Sequence, residues 1–200
     1  MQRSQLVTLL LLLTVVHTRA QTAGLEAGGP DVFYAVANLA GKNMVPEPIN
    51  TTAMARLALA LGKDSAVYFL EVFDILEFAM SHLHMVSPGT GTLHTGTLQG
   101  ARGANGPAFI QLAPAFASAQ PGADMLHTMY TPPLSGKMSI VNTFNASDIH
   151  PPSGTMDMQA LKDAILKGNV YTAVHNTTTP VGLIRDQLQQ YKPRAALPWE

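Results

Sequence analysis

The chain has 200 residues, with 12 Lys and Arg against 13 Asp and Glu and no cysteine. The missing cysteine excludes disulfides, thiolate metal centres and cysteine nucleophiles, and the near-neutral balance without a basic stripe excludes a nucleic-acid surface. With 46% hydrophobic and 12% charged residues, the composition is that of one globular domain rather than a disordered chain.

Residues 1–20 have the layout of a cleavable secretory signal. Arg3 precedes an apolar run from Leu6 to Val16, and Thr18-Arg19-Ala20 offers small residues at a cleavage site before Gln21. The run is about half the roughly 20 residues needed to span a bilayer. Removing the segment takes Arg3 and Arg19 and no acid, so 12 basic against 13 acidic residues become 10 against 13, a net charge of −3. The expected product is secreted and extracellular, with no membrane insertion. The sequons at Asn50, Asn145 and Asn176 fit that route, each as a glycosylation acceptor on an exposed loop.

Residues 21–31 are small and Gly-rich and read as a flexible leader. A first strand is expected from about Val32. Met54 to Leu61 fits helix or strand by pattern, but Gly62-Lys63-Asp64 and the β-branched and aromatic run Ala66 to Ile75 favour a hairpin. Further strands are expected over Met80 to Val86, Ala108 to Leu112, Asp124 to Tyr130 and Lys137 to Phe144. One helix is expected over Met158 to Lys167, where Leu161, Ala164 and Ile165 share a face, Asp157 can cap the start and Gly168 can end it. Val170 to Val174 and Leu183 to Leu188 complete the strands, and residues 191–200 read as a tail. Many short strands and one short helix near the C-terminal end predict an all-β, antiparallel, Greek-key-like β-sandwich over residues 32–190.

Three segments together resemble the CHRD (chordin-like) domain. Leu39-Ala40-Gly41-Lys42-Asn43-Met44-Val45-Pro46-Glu47-Pro48 is similar to that family's opening motif, with Met44 where an acid is usual. Ser81-His82-Leu83-His84 is similar to its His-x-His segment, with Met85 in place of Gly, and Asn105-Gly106-Pro107 to its Asn-Gly-Pro turn. Leu166 to Asn176 and Pro180 to Leu188 resemble its closing strands, with Leu183 in place of Glu. The resemblance covers about residues 32 to 190. It implies an extracellular β-sandwich and brings no agreed reaction.

The sharpest chemistry lies in three histidines. Strand residues two apart share a face, so His82 and His84 project side by side. With His175 from a neighbouring strand they form a three-imidazole set suited to copper or zinc. Met80 alternates with the same pair and adds a thioether, which favours copper. The Cu/Zn superoxide dismutase fold also carries a His-x-His pair on a β-sandwich, a likeness of architecture alone. The competing role for the histidines is a hydrogen-bond network that locks a loop. Met125, His127 and Met129 alternate similarly and are read as core filling. Arg185 is expected to tie sheets together or to meet a carboxylate such as Glu71 or Asp74, and Asn105, Gly106 and Pro107 to form a structural turn. No nucleophile elbow, zincin helix or phosphate loop is present. The chain is read as a secreted binding module without catalysis, its partner an extracellular protein or glycan. The alternative is a copper or zinc protein, extending to superoxide-dismutase-like redox chemistry.

Overall fold

The computed structural model describes residues 32–86, 107–113, 129–151, 153–179 and 181–191. The signal segment, the leader, Asn105, Gly106, Met125, His127 and most of the C-terminal tail lie outside them. Among the described residues there are eight strands: β1 (Phe33–Ala40), β2 (Met54–Leu61), β3 (Ser65–Met85), β4 (Ala108–Ala113), β5 (Leu134–Asn145), β6 (Val170–Asn176), β7 (Ile184–Gln187) and β8 (Gln189–Tyr191). The one α-helix described, α1, spans Met158–Leu166. All strand pairings are antiparallel, so the expected all-β architecture with one short helix holds. Among the described residues no helix is long and apolar enough to cross a membrane.

β3 organises the sheet. The sequence suggests separate strands before and after residues 76–79, but the chain runs through them as one 21-residue strand. Its first half pairs with β2 and β5, its second with β6 and β4. Asp74 and Glu77 adopt positive φ, 52° and 54°, and the register with β5 shifts on either side of Ile75. Such conformations cost non-glycine residues roughly 1–3 kcal/mol each, and at Glu77 two contacts from neighbouring segments hold the backbone. The Glu77 amide donates to Ser135 Oγ at 2.9 Å, and Thr177 Oγ1 donates to the Glu77 carboxylate. Past this bend, β6 and β7 return to β1 through the Ala40–Arg185 pairing. The sheet therefore curls onto itself as a barrel-like sandwich.

The main core fills the space between the two halves of the sheet. β1 contributes Phe33, Ala35, Ala37 and Leu39, and β2 contributes Leu57, Leu59 and Leu61. Facing them are Leu83, Val170, Val174 and Ile184, with Leu161 and Ile165 from α1. The helix forms as its sequence suggests: Asp157 Oδ1 accepts from the Ala160 amide at 2.7 Å, and Gly168 follows the last turn at φ +71°. The final strand differs from expectation. It breaks at Leu188, whose amide donates to the Val170 carbonyl, and β8 then moves over to pair with β1. Tyr191, expected in the tail, thus pairs with Tyr34.

The opening motif has a steric logic. Gly41 begins a 3-10 turn, and its carbonyl accepts from the Met44 and Ile49 amides at 3.0 and 2.9 Å. A Cβ at Gly41 would lie 2.2 Å from the Ile49 carbonyl oxygen, so only glycine fits this close approach.

Candidate metal centre

The second half of β3 pairs with β6 so that Met80 lies opposite His175, His82 opposite Ala173 and His84 opposite Tyr171. β6 pairs onward with β7, setting Ala173 opposite Arg185. Directly paired residues share a face, so Met80, His82, His84, Tyr171, Ala173, His175 and Arg185 lie on one side. Leu83, Val174 and Ile184 turn the other way, into the main core. Period-2 alternation thus separates a polar face from an apolar one on the same strands.

The three histidines converge there. His82, His84 and His175 are 2%, 8% and 4% exposed, and one ring nitrogen from each lies within 4.8 Å of the others. His82 Nδ1 and His175 Nε2 are 3.3 Å apart. That is a long hydrogen-bond distance, beyond the usual N–H···O separation of about 2.9–3.0 Å. It matches the separation of about 3.3–3.4 Å expected for two nitrogens bound tetrahedrally at 2.0–2.1 Å from one ion. The 4.8 Å limit for the whole group exceeds that edge by about 1.5 Å.

His84 is fixed by stacking. Its ring lies nearly parallel to Tyr171, at 12° and 4.8 Å between centroids. Arg185 Cζ sits 3.8 Å from the same tyrosine centroid. Two groups that close to one ring must occupy opposite faces, so the order is His84, Tyr171, Arg185. The imidazole stack is worth roughly 0.5–1.5 kcal/mol and a desolvated cation–π contact about 2 kcal/mol.

Arg185 has an aromatic neighbour not expected from the sequence. Glu71 is paired with Lys137 at 3.0 Å, and the guanidinium, 1% exposed, lies on Tyr171. The sequence carried no sign of Tyr171 as a spacer. That role depends on the β6 register, which places it opposite His84.

Gly182 and Met44 form the other wall of His175. Gly182 has φ +119°, and a Cβ there would lie 3.2 Å from Met44 Cε and 3.8 Å from His175 Cε1. Met44, in the motif position where an acid is usual, thus borders Gly182 as His175 does. Leu183, the other replaced acid, joins the apolar core.

The remaining expected sites fall elsewhere. Pro107 is exposed, and its carbonyl accepts from the Met85 amide at 3.1 Å, a structural role. Met129 is 52% exposed rather than core. Asn50 and Asn145 are exposed, although Asn145 ends β5 and caps the following turn. Asn176 corrects the exposed-loop expectation. It ends β6 at 8% exposure, its Nδ2 donates to the Leu76 carbonyl at 3.3 Å, and its Oδ1 accepts from the Thr179 amide at 2.8 Å.

No curated protein and no solved structure matches the chain. A family model does: that of the CHRD domain aligns with residues 35–188, from early β1 to the residue after β7, so the chain belongs to the CHRD domain family, a β-fold module of extracellular type.

Proposed function

We propose that this is a secreted CHRD-type binding module whose ligand is a metal ion, Cu(II) or Zn(II), held by His82, His84 and His175. The observation that carries the reading is the convergence of three buried imidazoles, with one ring nitrogen of each within 4.8 Å of the others and one pair at 3.3 Å. A single ion can take one nitrogen from each of the three rings. A set of neutral nitrogen donors without a thiolate suits either ion. The burial of the cluster supports retention of the ion in preference to turnover of a bulky substrate. Export is supported by the N-terminal segment and by the extracellular character of CHRD domains.

The test is metal uptake. The purified protein is stripped with chelator, given one equivalent of Cu(II) or Zn(II), and desalted before metal analysis. The expected result is stoichiometric retention that the double variant His82→Ala/His84→Ala loses. Equal retention by that variant, or none by the native protein, would overturn the reading.

A further inference from the structure

We infer that Met80 supplies a thioether as the fourth ligand of this site, which makes it a copper site able to hold the reduced ion, Cu(I). This rests on the three-histidine reading above and adds to it the identity and oxidation state of the metal.

Three imidazoles fill three corners of a tetrahedron and leave one open. Among the described residues, no carboxylate joins the three-histidine group. Met80 stands where the fourth corner needs a donor. It lies on the same strand face as His82 and His84, two and four residues away. It is also registered directly opposite His175, a relation that sets Cβ atoms about 4.5–5.5 Å apart. Its flexible thioether spans such a distance without moving the backbone.

The packing of Met80 is unusual for an apolar residue. It is 7% exposed, yet it belongs to neither apolar cluster, while Phe78 and Leu83 on the same strand are core residues. Its burial is therefore on the polar face. Met44, also near His175, cannot take this role. Its Cε and the Cε1–Nδ1 edge of His175 both border Gly182, whereas His175 Nε2 is the nitrogen that faces His82.

Ligand chemistry then selects the ion. Thioethers are soft donors that favour Cu(I), whereas Zn(II) draws its ligands from imidazole, thiolate and carboxylate. A Met80→Leu variant keeps size and apolarity and removes only the sulfur donor.

The experiment is an anaerobic competition for Cu(I) against bicinchoninate, with a parallel Zn(II) competition, on the native protein, Met80→Leu and His82→Ala/His84→Ala. Met80→Leu is expected to weaken Cu(I) binding by at least the roughly tenfold that losing even an outer-shell partner costs, with Zn(II) affinity unchanged. X-ray absorption of the Cu(I)-loaded selenomethionine protein is expected to show selenium bound to copper, and to lose it in Met80→Leu. Native Cu(I) affinity in Met80→Leu, or no selenium neighbour, would overturn the assignment of Met80 while leaving the histidines in place. A native protein that binds neither ion would overturn the parent reading and this one with it.

Discussion

His82 and His175 are 93 positions apart in the chain, yet Nδ1 of the first lies 3.3 Å from Nε2 of the second. The β3–β6 register creates that contact. Metal binding to such a prearranged pair stabilises the fold, because the unfolded chain offers no such pair. At free metal 100-fold above the dissociation constant the gain is about 2.7 kcal/mol, or roughly 5–10 °C in Tm for a domain of this size. We expect that rise in a thermal melt with Cu(II) or Zn(II). His175→Ala is expected to melt at the same temperature with and without metal. A native protein indifferent to both ions would contradict the site.

Tyr171 sets the third imidazole. Its ring separates His84 from the Arg185 guanidinium, so it holds the His84 plane. Tyr171→Phe retains the stack, whereas Tyr171→Leu removes it and leaves a cavity. The phenylalanine variant is expected to bind metal like the native protein. The leucine variant is expected to lose about 2–4 kcal/mol of stability and, at temperatures where it is still folded, to bind metal more weakly. Denaturant unfolding and metal competition separate the two effects. Equal metal affinity in both variants would remove Tyr171 from the site.

Much of this arrangement is legible in the sequence, and the reason is periodicity. Alternation places His82 and His84 on one face whatever the partner strand, and the Asp157 cap and Gly168 stop mark α1 locally. What could not be read is set by pairing between distant segments. The continuity of β3 depends on Asp74 and Glu77 holding positive φ, a conformation their side chains do not advertise. The positions of Tyr171 and Arg185 depend on register, and a slip of one residue would have turned both into the core. Asn176 fits the sequon pattern, yet the strand end it occupies uses both ends of its amide.

Gly182 and Gly168 offer a matched pair of substitutions. Both have positive φ, but a Cβ at Gly168 meets nothing within 4 Å, while one at Gly182 presses on Met44 and reaches His175. Gly168→Ala is expected to cost about 1 kcal/mol through backbone conformation alone and to leave metal binding unchanged. Gly182→Ala is expected to cost roughly 1–3 kcal/mol and also to weaken metal retention, because the new methyl would lie 3.2 Å from Met44 Cε and 3.8 Å from His175 Cε1. Chemical denaturation gives the first quantity and chelator competition the second. Unchanged metal affinity in Gly182→Ala would show that His175 is not held from that side.

Tyr68 gives the fold a dependence on alkaline pH that is separate from the metal site. The residue is 1% exposed, and its hydroxyl donates to the Leu112 carbonyl. Burial pushes its pKa well above the ordinary value of 10.0, because the phenolate would lie in the core. A folded pKa above the unfolded one means that this contribution is complete below about pH 10. It declines as pH rises from there toward the folded value. Near-ultraviolet absorbance should therefore show exposed tyrosines ionising first, and Tyr68 only as the protein unfolds. Tyr68→Phe is expected to lose about 0.5–1.5 kcal/mol at neutral pH through the missing hydrogen bond. Above about pH 10 that deficit should shrink, because the variant has no buried phenol left to ionise. A deficit that stays constant from neutral pH through the alkaline transition would show that Tyr68 does not set the alkaline limit.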